Sequence, residues 1–524
     1  MSRTFVVSTG CDLINCIMPD KSTSDLSSLE RKFYQLIISR LDGDKIRLQD
    51  YREKIVGLVK KGIGGFIIFG GEKDEMKTFI AEIQALAEVP LFIASDIERG
   101  VGQQLRGATH FPCQMAIAAA VDRNNTENAA LLESAVAAIA AEAVDIGINF
   151  PFIPVMDVNL NPDNPIICTR AFSDNAEEVE WYGLRYVEVL ENAGLISCPK
   201  HFPGHGDTSV DSHIALPVIS KSAGELMHTD VLPFAGAIKA GAGSIMIGHL
   251  TIPSLDSRPA SLSKRVITGL LREGLGFRGL VVTDALNMNA LDAFGKASVE
   301  ALHAGADVLL HPADAGITVS ELMAEAARNG IDEGLLGAAL KRISDAKAGL
   351  QKIRSARAGY PEHRELSSRI VLESITLVRC KEGVLPVENT GAVQVVFAGD
   401  EKFFGKSPLK NHCGSVAPVA AIREVKHGTI LFAVFTSVAA WEGSSGIEEE
   451  ERRKIREIIG KAKNSIVVSF GSPYVLRHFP EADILIAAYE GTGQAQEAVM
   501  KCLRGEAGFK GRLPVRLDNF PPAK

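Results

Sequence analysis

The chain has 524 residues, 46% of them hydrophobic, and a net charge of −8; this is too much for one ordinary domain and ample for sizeable cores. An acidic balance without a basic, aromatic-laced stripe excludes a nucleic-acid partner, and eight scattered cysteines with no C-x-x-C pair indicate neither a disulfide framework nor a zinc ribbon. No run reaches about 18 apolar residues, and the apolar start at Phe5-Val-Val7 is broken by Asp12, so the expectation is a soluble, cytoplasmic protein with no membrane partner.

Residues 1–30 read as an N-terminal extension, with an Asp/Ser/Lys-rich loop from Pro19 to Ser28. From there short apolar, β-branched runs alternate with helical patterns. The eight runs are Gln35–Leu41, Gly65–Phe69, Pro90–Ser95, Ile148–Ile153, Leu195–Pro199, Ser244–Gly248, Leu280–Thr283 and Asp307–His311. Helices between them carry their own punctuation. Asn125-Thr126 opens an Ala-rich one that ends at Gly147, and Ser173 or Asp174 caps another that Gly194 ends. Eight strand-then-helix units predict an α/β fold of the (β/α)8 TIM type over 31–355, with a doubly wound sheet as the alternative. A linker is expected over 356–375. The apolar runs Val393–Ala398, Thr429–Phe435, Ser465–Phe470 and Ile484–Ala488, separated by charged segments such as Glu448–Lys463, predict a smaller C-terminal α/β sandwich domain over 376–524.

Charged residues recur where the barrel strands end. Asp96 follows the third run, Asp157 and Arg170 the fourth, Lys200 and His201 the fifth, His249 the sixth and Asp284 the seventh, and His311 closes the eighth. Barrel chemistry sits at such strand ends. The densest stretch is Lys200-His-Phe-Pro-Gly-His-Gly-Asp-Thr-Ser-Val-Asp-Ser-His213, six titratable residues in fourteen. Its glycines and proline predict a loop folded over a site, in which Asp211 can orient the His213 imidazole. Asp284, directly after Leu-Val-Val-Thr283, is placed to act as a nucleophile, though it could instead cap a following helix.

Two chemistries compete for this set. His201, His205, Asp211 and His213 could hold a metal that activates water, but four ligands in one loop are unusual for a barrel site. Alternatively Asp284 attacks an electrophilic carbon while His213, held by Asp211, protonates the leaving group. Asp96, Arg170, Lys200 and His201 then grip a polyhydroxylated ring. The second reading is preferred, with no metal and no cofactor.

The stretches 200–213, Phe277-Arg-Gly-Leu-Val-Val-Thr-Asp-Ala-Leu-Asn-Met288, His303-Ala-Gly-Ala-Asp-Val-Leu-Leu310, Asn161-Pro-Asp-Asn-Pro165 with Arg170-Ala-Phe-Ser173, and Pro259-Ala-Ser-Leu-Ser263 together resemble glycoside hydrolase family 3, in its β-N-acetylglucosaminidase branch. The resemblance implies Asp284 as nucleophile, His213 as acid/base, Asp211 as its partner, and Asp96, Arg170, Lys200 and His201 as sugar-binding residues. It implies retaining removal of a terminal β-linked N-acetylglucosamine from a small carbohydrate substrate, in recycling of cell-wall fragments. Phosphorolysis on the same site and a catalytically inactive sugar-binding barrel are the alternatives. One departure stands out. Where the family reads Asp-Gln-Glu-Gly-Gly-Arg-Val, this chain reads Asp96-Ile-Glu-Arg-Gly-Val-Gly-Gln-Gln-Leu-Arg106, which leaves Arg99 and Arg106 as candidates for sugar contact.

Overall fold

Gly65-Phe-Ile-Ile-Phe69 is apolar on both faces, as a strand between two neighbours and two helix layers must be. A computed structural model of the chain describes residues 29–517 except 292, 354–357, 424–427 and 439–443. Most of the expected extension 1–30 therefore lies outside the described residues. In the N-terminal region the strands are β1 (Ile37–Asp42), β2 (Gly65–Phe69), β3 (Phe92–Ser95), β4 (Phe150–Pro151), β5 (Ser244–Ile247), β6 (Thr251–Ile252), β7 (Asp256–Pro259), β8 (Leu280–Thr283) and β9 (Leu309–Leu310). A five-stranded parallel sheet runs in the order β4-β3-β2-β1-β9, and β5 pairs in parallel with β8. Isolated parallel bridges Val155–Lys200, Phe202–Ile247 and Val282–Val308 join the two. The result is a curled parallel sheet wrapped by helices. The register brings Gly65 opposite Phe92, and a β-carbon there would sit 2.2 Å from the Phe92 carbonyl oxygen, which is why only glycine fits.

Two expectations change at this level. Leu195–Pro199 forms no regular strand, yet it lies bonded between its neighbours: the Ile196 and Cys198 N–H groups donate to the Asn149 and Ile153 carbonyls at 3.1 and 2.9 Å, and the Ser197 and Pro199 carbonyls accept from the Ser244 and Met246 N–H groups, each at 3.1 Å. It contains Pro199 and leads to Pro203, neither of which has a backbone N–H to give to a ladder. The helix Ala176–Asn192 is capped by Asn175, whose side chain accepts from the Glu178 N–H at 3.0 Å, rather than by Ser173 or Asp174. The helix Thr126–Ile146 ends at Gly147 as read from the sequence.

The C-terminal region adds β10 (Thr376–Cys380), β11 (Gln394–Gly399), β12 (Ser415–Pro418), β13 (Thr429–Phe435), β14 (Asn464–Phe470) and β15 (Ile484–Ala487). They form one sheet in the order β10-β15-β14-β13-β11-β12, with only β10 antiparallel to its neighbour. Alternate residues face two separate cores. Leu431, Ala433 and Phe435 join one cluster, and Ile430, Phe432 and Val434 join the other. The charged run expected over Glu448–Lys463 is the helix Glu449–Ile459, which buries Ile455, Ile458 and Ile459 and turns its charges outward.

The segment expected as a linker is mostly the ordered helix Tyr360–Ser374. It is pinned to the N-terminal region by Tyr360 Oη donating to Asp145 at 3.0 Å, His363 Nδ1 against Glu142 at 2.8 Å, and Ser367 Oγ donating to the His110 carbonyl at 2.7 Å. Met115 and Ala116 also share a core with Phe432 and Val434. The two regions thus meet through buried apolar surface as well as polar contacts.

Candidate active site

The C-terminal ends of the curled sheet open into a cavity of about 370 Å³ that is lined by Asp96, Glu98, Arg170, Lys200, His201, His205, His213 and Asp284. Those side chains are far apart in sequence and come together because parallel strands present all their C-terminal ends on one side.

One wall is an ion network. Lys200, almost wholly buried, lies 2.7 Å from Asp96 Oδ1 and 2.7 Å from Glu98 Oε1. Arg170 grips Glu98 with both arms, Nε to Oε2 at 2.9 Å and Nη2 to Oε1 at 2.8 Å. Burial alone would favour a neutral Glu98, but Arg170 and Lys200 overcome it and hold its carboxyl well below the usual carboxylate range. Burial would likewise lower Lys200 and Arg170, and the facing carboxylates push both up. The wall is therefore a set of fixed charges, each already balanced by a partner, which suits neutral, hydroxyl-rich ligands.

The second wall is the histidine-rich loop. Fully buried Asp157 anchors its start, taking the His201 and His205 backbone N–H groups at 3.1 and 2.7 Å on Oδ1 and His201 Nδ1 at 2.7 Å on Oδ2. Burial opposes ionisation of Asp157, but His201 and these N–H groups lower its pKa overall. The donation fixes the His201 tautomer, with Nδ1–H toward Asp157 and Nε2 left for the cavity side. Gly206 packs against the chain at Val158, where a β-carbon would fall 1.8 Å from a carbonyl oxygen. Further along, buried Asp211 accepts from the His213 backbone N–H at 2.8 Å and from His213 Nδ1 at 2.9 Å, both on Oδ1. The imidazole of His213 is thus held by a carboxylate with its Nε2 edge opposite that anchor, the arrangement expected from the spacing Asp-Ser-His.

Asp284 leaves β8 at the cavity floor, half-buried, with its backbone N–H bound to the Ile247 carbonyl and its Oδ1 taking the Ala285 N–H at 2.7 Å. Burial would raise its pKa, yet the imidazoles of His201, His249 and His213 and the Ala285 N–H bring it down to about 2. It is ionised at neutral pH. It caps no α-helix, because the next one begins only at Ala297. His249 beside it is buried; its Nε2 donates to the Ala285 carbonyl at 3.1 Å and its Nδ1 accepts from the Ser261 hydroxyl at 2.7 Å. Burial lowers its pKa against the pull of Asp284, and its two hydrogen bonds support the turn that carries Asp284.

Seven of the eight sequence-expected residues meet around this cavity: Asp96, Arg170, Lys200, His201, His213 and Asp284 line it, and Asp211 stands behind His213. Arg106 does not. It is exposed and bonds outward, Nε to Glu72 at 2.6 Å and Nη2 to Asp44 at 2.6 Å, because its backbone pairs with the chain after β2, its N–H on the Gly71 carbonyl at 2.9 Å and its carbonyl accepting from the Lys73 N–H at 3.1 Å. Arg99 lines the cavity in its place. Sequence reasoning passed over Glu98 as the hub of the ion network, although two cations converging on one strand end required a second carboxylate. It also passed over Arg40, at β1, whose guanidinium lies 4.6 Å from the Phe69 ring centre at the rim. Among the described residues, no group of three or more His, Cys, Asp or Glu is arranged to hold a metal ion.

Comparison with known proteins places these features in a family. Residues 28–346 match the model for the glycosyl hydrolase family 3 N terminal domain. The chain is 31% identical to the β-hexosaminidase A of Pseudoalteromonas piscicida, over 87% of this chain and 90% of that protein. It is 28% identical to a β-N-acetylglucosaminidase/β-glucosidase of Cellulomonas fimi, over 88% and 90%. A solved family 3 β-N-acetylglucosaminidase from Paenibacillus sp. str. FPU-7 superimposes with a TM-score of 0.79 at 29% identity, covering 94% of this chain and 99% of that one. With the matched model spanning more than half its length, the chain belongs to glycosyl hydrolase family 3.

Proposed function

We propose that this protein is a retaining, exo-acting β-N-acetylglucosaminidase that releases terminal β-linked N-acetylglucosamine. The observation that carries the reading is the pair of an ionised Asp284 at the end of β8 and a His213 imidazole fixed by Asp211, both facing one small cavity. In the first step the Asp284 carboxylate attacks the anomeric carbon. The glycosidic bond breaks, and its electron pair leaves on the aglycone oxygen, which takes the proton from Nε2 of the His213 imidazolium. In the second step the now neutral imidazole takes a proton from water, the water oxygen bonds to the anomeric carbon, and Asp284 departs as carboxylate. Asp211 keeps Nδ1 protonated throughout, so that Nε2 alone exchanges the proton. Asp96, Lys200, Arg170, His201 and Arg99 hold the sugar, and no step asks for a cofactor. A cavity of this size suits one terminal sugar rather than a chain threaded through. The relatives named for β-hexosaminidase and β-N-acetylglucosaminidase activity support the choice of sugar.

The scaffold proposed for this chemistry is a closed (β/α)8 barrel over 31–355, supported by the bridges at Lys200, Phe202 and Val308, with a C-terminal α/β sandwich domain over 376–524. The natural substrate proposed is a cell-wall fragment bearing terminal N-acetylglucosamine, processed in the cytoplasm. The deciding experiment is product analysis on 4-nitrophenyl β-N-acetylglucosaminide, with and without phosphate, beside the matching β-glucoside. Free N-acetylglucosamine in both buffers is expected. Sugar 1-phosphate formed only with phosphate would replace hydrolysis by phosphorolysis, and inhibition by a chelator would revive the metal-dependent reading.

A further inference from the structure

Arg99 lines the cavity, yet its side chain is anchored from the other half of the molecule. Its Nε donates to Glu490 Oε1 at 2.9 Å, across 391 residues of sequence. The same oxygen takes the Cys113 backbone N–H at 2.7 Å. Glu490 is almost fully buried and follows Tyr489, whose backbone is left-handed with φ 61°. A tyrosine held there is strained, and such strain persists only where surrounding contacts fix it. Here Tyr489 Oη is bonded to Thr376 Oγ1 at 2.8 Å and the ring is buried. The turn after β15 is thereby bent so that Glu490 reaches the loop that follows β3. The backbone of Arg99 is fixed as well, its N–H on Gln103 Oε1 at 2.7 Å and its carbonyl accepting from the Phe111 N–H at 2.7 Å.

This leaves one part of Arg99 uncommitted. Among the described residues no hydrogen bond engages its Nη groups, while the side chain remains 24% exposed on the cavity side. Its charge is already matched by Glu490, so the demand at the Nη groups is for an oxygen acceptor and not for a second anion. Arg99 stands beside Glu98, the hub of the ion network, where the family's own arginine is displaced in this chain.

We propose that Glu490, carried by the C-terminal sheet, is a positioning residue for Arg99, and that the Nη groups of Arg99 bind an uncharged oxygen of the sugar, a hydroxyl or the acetamido carbonyl. This rests on the reading of the cavity as a sugar site, and it gives the C-terminal region a part in substrate binding.

The test is a double-mutant cycle on the full chain with 4-nitrophenyl β-N-acetylglucosaminide. Glu490→Gln and Arg99→Gln are each expected to raise KM about tenfold with kcat within about twofold, and the double variant is expected to be no worse than either. Losses that multiply in the double variant, or an unchanged KM with only a lowered Tm, would overturn the proposal. Arg99→Lys guards against a misfolded Glu490 variant: one ammonium can hold Glu490 but cannot also reach the sugar, so KM rises at unchanged Tm, and an unchanged KM would count against the idea. Calorimetric binding of free N-acetylglucosamine separates the two claims. A tenfold weaker Kd in the variants supports the Glu490–Arg99 link whether or not the wild type turns over the glycoside, whereas equal Kd values refute it.

Discussion

Strands β8 and β13 are both buried and apolar, and both point their C-terminal ends toward loops, but β8 runs into Asp284 and β13 into Thr436. Thr436 is consumed by its neighbours: its Oγ1 takes the Ser472 N–H at 2.8 Å, and Gly471 packs so close that a β-carbon there would lie 2.2 Å from that oxygen. The strand ends of the C-terminal sheet close on one another. Those of the N-terminal sheet do not, and the charges they carry face a cavity instead. The difference lies less in strand chemistry than in whether the groups at the ends have somewhere else to bond. Glu490 is the exception that joins the two, since its partner Arg99 belongs to the other sheet.

Substitutions can break this contrast in graded ways. After loss of Asp284 itself, the largest effect is expected from His213→Ala. Activity on substrates with poor leaving groups should fall by about 10²–10⁴, and far less on activated aryl glycosides, which need little protonation. A Brønsted series over leaving groups checks it, and an equal loss on all of them would make His213 structural. Next is Lys200→Met. Removing that ammonium leaves Asp96 without its partner and Glu98 with Arg170 alone, which should cost about 3–5 kcal/mol of stability together with most sugar binding. Urea unfolding and kcat/KM measured side by side test the coupling. Leu431→Ala in β13 sharpens the comparison from the other side. It should cost a similar 2–5 kcal/mol by opening a core cavity, with kcat/KM unchanged once the protein is folded. The smallest effect concerns Lys347, buried with its Nζ on Gln35 Oε1 at 3.0 Å and over the Phe92 ring. Burial brings its pKa down to about 7 from 10.5. The unfolded chain therefore binds this proton more readily, and the stability it confers is present at pH 10 and lost as pH falls toward 7. Lys347→Met should raise Tm at pH 7 and change it little at pH 10.

Much of this was legible in the sequence, for identifiable reasons. Gly65–Phe69, Leu280–Thr283 and Thr429–Phe435 were read at their observed bounds because apolar runs between breakers leave little choice. Leu195–Pro199 sits where a strand was expected, bonded on both sides, but is not a regular one, because Pro199 has no N–H to give to its neighbour. Strands β10 and β12 escaped notice because edge strands carry polar or exposed residues such as Arg379 and Pro418. In the site, Asp211 and His213 are neighbours in sequence and could be paired on spacing alone. Arg106 could not be placed, since the backbone pairing with Gly71 and Lys73 that sets it beside Glu72 has no signal in the local sequence. The Arg99–Glu490 contact has no local signal at all, because its partners are 391 residues apart.

The central claim is that Asp284 forms the covalent bond to the sugar, and Asp284→Ala assayed with and without azide addresses it most directly. The account predicts a folded protein whose turnover falls by several orders of magnitude and is partly restored by azide, with an α-glycosyl azide as product, because the small anion attacks from the face that the carboxylate has vacated. Near-native turnover without azide would contradict it.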